Sequence, residues 1–271
     1  MPARTPEGPP PPPAVARMRI RYAKRGRLRF SSHRDFQRAF ERALRRAGVP
    51  MAYSAGFSPH PKISYVGAAP TGTASEAEYL EIALTEPVEP AGLRAALDDA
   101  LPAGLDVMEA VEAGSGSLAE RVNASDWRIE LTGVPVERAA AAVAAFLDQA
   151  EVPVVRVLKD GARTLDARAP VVLAEVTGGR ETRPGKPAGE PLCAILRLVV
   201  RHVTPAVRPD DILAGLRLVA DLVPPVPPSV TRLAQGLLDV SDDLPARIAD
   251  PLAPDRGAGR LADVAGAPLP R

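Results

Sequence analysis

The chain has 271 residues, 46% of them hydrophobic and 25% charged, and a net charge of only +1; this is enough apolar material for one large core or two cores of about 100 residues each. Its single cysteine, Cys193, cannot close an internal disulfide or build a Cys-rich metal site, and of the three histidines, His33, His60 and His202, no two are spaced as helical metal ligands. No apolar run reaches the ~20 residues that span a bilayer, and residues 1–13 carry no apolar signal core, so a cytoplasmic protein with no metal or other cofactor is expected.

The charge is unevenly spread. Residues 17–62 hold thirteen Lys and Arg against Asp35 and Glu41, a net +11. Residues 1–16 balance Arg4 against Glu7, which leaves −10 from Ile63 onward. A basic surface on an otherwise acidic molecule points at a polyanion.

In chain order, residues 1–16, with five prolines in a row at 9–13, predict a disordered Pro-rich lead. A basic domain is expected over 17–115. Alternation at Met18, Ile20 and Tyr22, then Lys24-Arg25-Gly26, then Leu28 and Phe30, reads as a hairpin. Ser31 or Ser32 can cap the next helix, with Ser32 and Asp35 resembling a capping box. Phe36, Phe40, Leu44 and Ala47 form its buried stripe, Gly48 ends it and Pro50 blocks continuation, so Arg38, Arg42, Arg45 and Arg46 face outward. A loop over 54–61, strands at 63–66 and 79–84, a helix at 90–101 and a strand at 105–111 complete the order β-α-β-β-α-β.

A second domain over 122–240 repeats that order: a strand at 126–131, a helix at 136–150, strands at 152–158 and 163–166 paired across Lys159-Asp160-Gly161, a strand at 192–201 that buries Cys193, a helix at 209–221 and a strand at 230–237. Residues 180–190 read as a polar loop, and 241–271, rich in Pro, Ala, Asp and Gly, as a disordered tail. The expected architecture is α+β, two tandem ferredoxin-like units with disordered ends.

The stretch Tyr53-Ser54-Ala55-Gly56-Phe57-Ser58-Pro59-His60-Pro61-Lys62-Ile63-Ser64 is the most constrained. Gly56 permits a turn, and Pro59 and Pro61 lock the backbone around His60, which holds Phe57, His60 and Lys62 in a fixed relation suited to recognition. The alternative is a rigid turn with Phe57 tucked beneath it. At the helix start, Arg29, Ser31, Ser32, His33 and Arg34 surround free backbone N–H groups, a composition that suits phosphate; a plain cap with a solvated His33 fits as well. Should the two regions meet, His33 and His60 form an acid–base pair of the kind metal-independent ribonucleases use. His202 reads as structural, the Gly/Thr/Ser run 67–75 as a solvated loop, and Asp166 and Arg168, alternating onto one face, as a surface ion pair.

Arg-Phe-Ser-Ser-His-Arg-Asp at 29–35, Arg-Ala-Phe-Glu-Arg-Ala-Leu-Arg-Arg-Ala-Gly-Val-Pro at 38–50, the 53–64 stretch and Ser-Glu-Ala-Glu-Tyr at 75–79 together resemble the radical-SAM-associated domain family of unknown function. Residues 159–168 also look like that family's Asp-x-Arg hairpin, and the resemblance spans about 18–238. Members occur fused behind a radical-SAM enzyme or as separate chains. With one cysteine this chain lacks the Cys-x-x-x-Cys-x-x-Cys cluster site, so the resemblance implies the separate form with a radical-SAM enzyme as partner.

Three functions fit these residues. The favoured one is a non-catalytic RNA-binding accessory to a separate radical-SAM RNA-modification enzyme, with phosphates on the arginines, Phe57 as a stacking surface, and His60 and Lys62 on the anion or the base. The second is a metal-independent RNA-processing enzyme that uses His33 and His60. The third is a protein-interaction scaffold whose basic helix meets an acidic partner.

Overall fold

The computed structural model describes residues 10–158, 161–179, 193–240 and 246–257. The lead up to residue 9, Lys159 and Asp160, the 180–190 loop and the tail segments 241–245 and 258–271 lie outside them. The fold is α+β, with four α-helices among the described residues. The chain forms two compact units, one up to Val122 and again from Asp250, the other Asn123–Ala249.

In the first unit β1 (Ala16–Lys24) is flanked on both sides: antiparallel by β3 (Ala74–Leu84) and by β4 (Leu105–Glu112). The short strand β2 (Ile63–Val66) pairs antiparallel with β3. Alternation turns Met18, Ile20 and Tyr22 to one face, where they pack with Phe36, Phe40 and Leu44 of α1 (His33–Arg46) and Leu93 and Leu97 of α2 (Pro90–Ala100). Because both edges of β1 are taken, residues 26–30 do not return as the second strand of a hairpin. They curl into a 3₁₀ turn, entered at Gly26 with φ +55° and closed by the Ser31 N–H on the Leu28 carbonyl at 2.9 Å.

The opposite face carries Val66, Tyr79, Val111, Leu118 and Val122, covered by Leu252. Within the stretch expected to be a disordered tail, residues 246–257 are ordered instead: residues 247–249 form a strand paired along residues 237–239, and Ala253–Asp255 form a helical turn where Asp255 meets a buried arginine. Arg19 is 0% exposed, donates from Nη1 to both Asp255 carboxylate oxygens at 2.9 Å and from Nε to Glu81 at 2.9 Å. Arg121 Nη1 (2.8 Å) and the Gly114 N–H (3.0 Å) complete the shell around Asp255.

In the second unit β5 (Ala124–Thr132) lies between β10 (Ser229–Asp239) and β9 (Cys193–Arg201), and β8 (Val171–Gly179) pairs outside β9, all antiparallel. Trp127, Ile129, Leu131, Leu196 and Leu198 pack with Phe146 of α3 (Val136–Leu147) and Ile212 and Leu216 of α4 (Pro209–Ala220). Strand β8 was not foreseen. The hairpin β6 (Pro153–Leu158) and β7 (Gly161–Asp166), expected in the sheet, instead makes a separate two-stranded ribbon, held to α4 by Arg156 on Asp211. The short strand β11 (Arg247–Ala249) pairs with β10.

Candidate functional site

Helix α1 is built by local rules. The Ser32 hydroxyl accepts from the Asp35 N–H at 3.2 Å and donates to the Asp35 carboxylate at 2.6 Å, and Gly48, at φ +62°, follows its last turn. That hydroxyl, with Arg38 and Arg34 nearby, holds the Asp35 carboxyl below the usual carboxylate range. Burying Phe36, Phe40, Ala43 and Leu44 on the sheet leaves Arg34, Arg38, Arg42, Arg45 and Arg46 exposed. At ~1.5 Å rise and ~100° per residue these five guanidinium stems occupy one third of the helix circumference along ~18 Å of axis. Among the described residues no carboxylate forms an ion pair with any of them.

The rest of the basic segment behaves differently. Alternation puts Arg17, Arg19 and Arg21 on the face of β1 opposite α1, so the +11 segment is not one surface. Much of its charge is also already compensated. Arg17 reaches Glu81 at 3.3 Å, Arg19 is consumed by Asp255 and Glu81, and Arg25 pairs with Glu76 and, at 2.6 Å, with Asp106. The Glu76 hydrogen bonds, with help from Asp106, push the Arg25 pKa upward. Lys24 is buried and donates to the carbonyls of Ala69 and Pro70 at 3.3 and 3.2 Å. These bonds, with the Ala69 N–H on buried Glu78 (3.1 Å) and the Gly72 N–H on the Arg29 carbonyl (2.8 Å), tie down a loop expected to be solvated.

His33 is exposed at the first turn of α1, its ring edge-on to Tyr65 with centroids 4.9 Å apart. Tyr65 also meets Phe36 edge-on at 5.9 Å, and its hydroxyl is buried with no hydrogen-bond partner. Burial, reinforced by Glu41, drives the Tyr65 pKa well above that of a free tyrosine. Ser31 is half-buried beside the cap, and Arg29 sends its guanidinium over the Phe30 ring, 4.8 Å from the centroid, with its Nε buried and unpartnered.

The 54–60 loop is pinched shut at its base. The Ser54 N–H donates to the His60 carbonyl (2.9 Å) and the His60 N–H to the Ser54 hydroxyl (3.0 Å), while Gly56 takes φ +132°. Phe57 is not tucked under the turn; it stands 70% exposed. Because Ile63 and Tyr65 face the α1 core, Lys62 and Ser64 lie on the other side of β2. There they line a shallow groove of about 390 Å³ with Ser54, His60 and Glu81. No hydrogen bond or ring contact joins His33 to His60. Their anchors, Tyr65 and His60, are five residues apart in the chain, roughly 16 Å if fully extended. The structure therefore places the predicted residues in two groups, the α1 stripe with His33 on one side of β2 and His60 and Lys62 on the other.

In the second unit His202 Nε2 lies 2.7 Å from the Ser125 hydroxyl, and Cys193 is buried at the start of β9. Asp166 and Arg168 do not make the expected ion pair, because each is satisfied by backbone. Asp166 accepts from the Val152 and Arg168 N–H groups, both at 2.9 Å, and Arg168 donates to the carbonyls of Leu147 and Val171, both at 3.2 Å.

The family model described as "Uncharacterized protein conserved in bacteria (DUF2344)" matches residues 17–209. The chain belongs to this family. The match takes in the whole of α1, the 54–60 loop and the β6–β7 ribbon, and stops at the first residue of α4. No curated protein matches the chain. Among the described residues no group of three or more His, Cys, Asp or Glu is placed to hold a metal ion, and no helix is long and apolar enough to cross a membrane.

The sequence does not single out Phe30, Tyr65 or Asp255: alternation reads Phe30 as a strand residue, and Asp255 falls in the Pro-, Ala-, Asp- and Gly-rich end. The signal for Phe30 was its place two residues before the helix cap, where an apolar side chain has no strand face to join.

Proposed function

We propose that this family member is a non-catalytic RNA-binding accessory to a separate radical-SAM RNA-modification enzyme, and that both units are ferredoxin-like. The association with a radical-SAM enzyme follows from the motif resemblance at 29–64 and 75–79. The ferredoxin-like reading is supported by the strand order β4-β1-β3 with β2 outside β3 in one unit and β10-β5-β9-β8 in the other.

One observation carries the RNA reading: Arg34, Arg38, Arg42, Arg45 and Arg46 stand exposed on a single stripe, none of them in an ion pair among the described residues. A row of guanidinium groups held in no ion pair gains most from a chain of phosphates, each contact releasing a condensed counterion. Five such contacts give a slope of about −3.5 in log affinity against log salt for a single strand, or roughly a 100-fold loss over a fourfold rise in salt. The test is binding of purified protein to total RNA at two salt concentrations beside the R42A/R45A/R46A variant. Steep salt dependence in the wild type, reduced by about 2 in slope in the variant, is expected. Feeble binding by both at low salt overturns the reading.

A scaffold that docks through β6, rather than through the basic helix as expected from the sequence, has one feature in its favour. Val155 and Val157, on one face of β6, are 66% and 81% exposed. Co-purification of a partner that is lost on replacing both valines with serine, with RNA binding absent, would select it.

A further inference from the structure

The chain has five phenylalanines. Phe36, Phe40 and Phe146 are core residues at 3%, 0% and 1% exposure, whereas Phe30 and Phe57 are 59% and 70% exposed. Both bare rings belong to the basic segment. Phe30 precedes the α1 cap by two residues, and Phe57 sits in the pinched loop that leads to β2. Burying a phenylalanine side chain is favourable by about 1.5–3 kcal/mol, so a ligand that covers these two rings of the basic segment gains from each.

Local geometry shows what each ring is prepared for. The Arg29 guanidinium lies over Phe30 at 4.8 Å, so ring and cation already form a layered pair with a flat apolar surface. Phe57 is held away from the body by a loop closed through two hydrogen bonds at its base, which limits what ring placement costs on binding. Both rings are more than half exposed rather than enclosed. A flat, open, charge-flanked aromatic suits the face of a nucleobase better than an aliphatic side chain, which needs enclosure.

We infer that the RNA this protein binds is single-stranded where it meets the first unit, with unpaired bases stacking on Phe30 and Phe57 while the α1 arginines hold the phosphates; this rests on the RNA reading above. A duplex cannot satisfy the rings, because its base faces are already stacked on one another. The selectivity thus comes from strandedness rather than sequence, since every base has a stackable face.

The experiment compares anisotropy titrations of a short unstructured RNA and of the blunt duplex made from that RNA and its complement. The proteins are wild type, Phe30→Ala, Phe57→Ala, Phe30→Tyr and R42A/R45A/R46A. Wild type is expected to prefer the single strand. Each alanine variant should lose about 5- to 150-fold for the single strand, with duplex affinity unchanged and Phe30→Tyr close to wild type. The arginine variant should weaken on both substrates. Unchanged single-strand binding by both phenylalanine variants, or a wild-type preference for duplex, overturns the inference while leaving the arginine stripe as an RNA surface. Failure of the wild type to bind either substrate removes both readings. Both side chains are exposed, so the variants fold; circular dichroism checks this.

Discussion

Replacing Asp255 with alanine leaves Arg19 with one carboxylate instead of two in a site closed to water. Arg19 keeps Glu81 and the Gly116 carbonyl, but loses two hydrogen bonds to Asp255, while Arg121 and the Gly114 N–H lose their shared acceptor. Breaking a buried pair from one side costs about 3–5 kcal/mol, and the surviving Glu81 contact argues for the lower end. For a unit of on the order of 100–150 residues, ~3 kcal/mol corresponds to a fall in Tm of about 10 °C. The units can be followed separately because all four tyrosines, Tyr22, Tyr53, Tyr65 and Tyr79, lie in the first unit and the single tryptophan, Trp127, in the second. The tyrosine-monitored transition should drop while the tryptophan-monitored one responds less. Glu109→Ala, which removes the part-exposed partner of Arg256, is the control and should cost under about 1 kcal/mol. If Asp255→Ala unfolds within about 1 kcal/mol of wild type in the tyrosine signal, residues 250–257 do not hold this unit together and the reasoning is wrong.

Acid should expose the same contact. Burial alone would raise the Asp255 pKa, but hydrogen bonds from Arg19, Arg121 and the Gly114 N–H outweigh it and hold the carboxyl below the usual range. A depressed folded-state pKa contributes stability that is present above the unfolded value, about 3.9, and is lost as pH falls through the folded one. Wild type should therefore lose stability below about pH 4 with a slope that Asp255→Asn lacks, as measured by urea unfolding across pH. Ser32→Ala removes the α1 cap and should cost about 1 kcal/mol in the tyrosine signal, with Ser32→Asp recovering most of it. Gly236→Ala would set a Cβ 1.9 Å from the Ala249 carbonyl oxygen, so β11 must leave β10; a loss of about 1–3 kcal/mol in the tryptophan-monitored transition is expected.

Helix α1 was legible almost residue by residue from the sequence. Its cap, its apolar spacing, Gly48 and Pro50 all lie within one short segment, and each acts through bonds to neighbours in the chain. The exposed arginine stripe follows from the same periodicity. Net charge is a poorer guide: Arg17, Arg19 and Arg25 count toward the +11, although their partners are Glu81, Asp255, Glu76 and Asp106, 64, 236, 51 and 81 residues away. Long-range neutralisation leaves no trace in local composition. The strands show the same limit. Alternation identified β6 and β7 as a pair but could not say which sheet they join, and so β8 was overlooked. Residues 17–115 predicted their helices and most of their strands, residues 26–30 excepted, because those obey backbone geometry and burial on one face. Which edges of β1 were taken, which side of β2 carries Lys62, and that residues 250–257 return to cover Arg19 were decided by tertiary structure. Each is a choice among partners distant in sequence, settled by which pairing leaves the fewest buried charges and bare apolar faces.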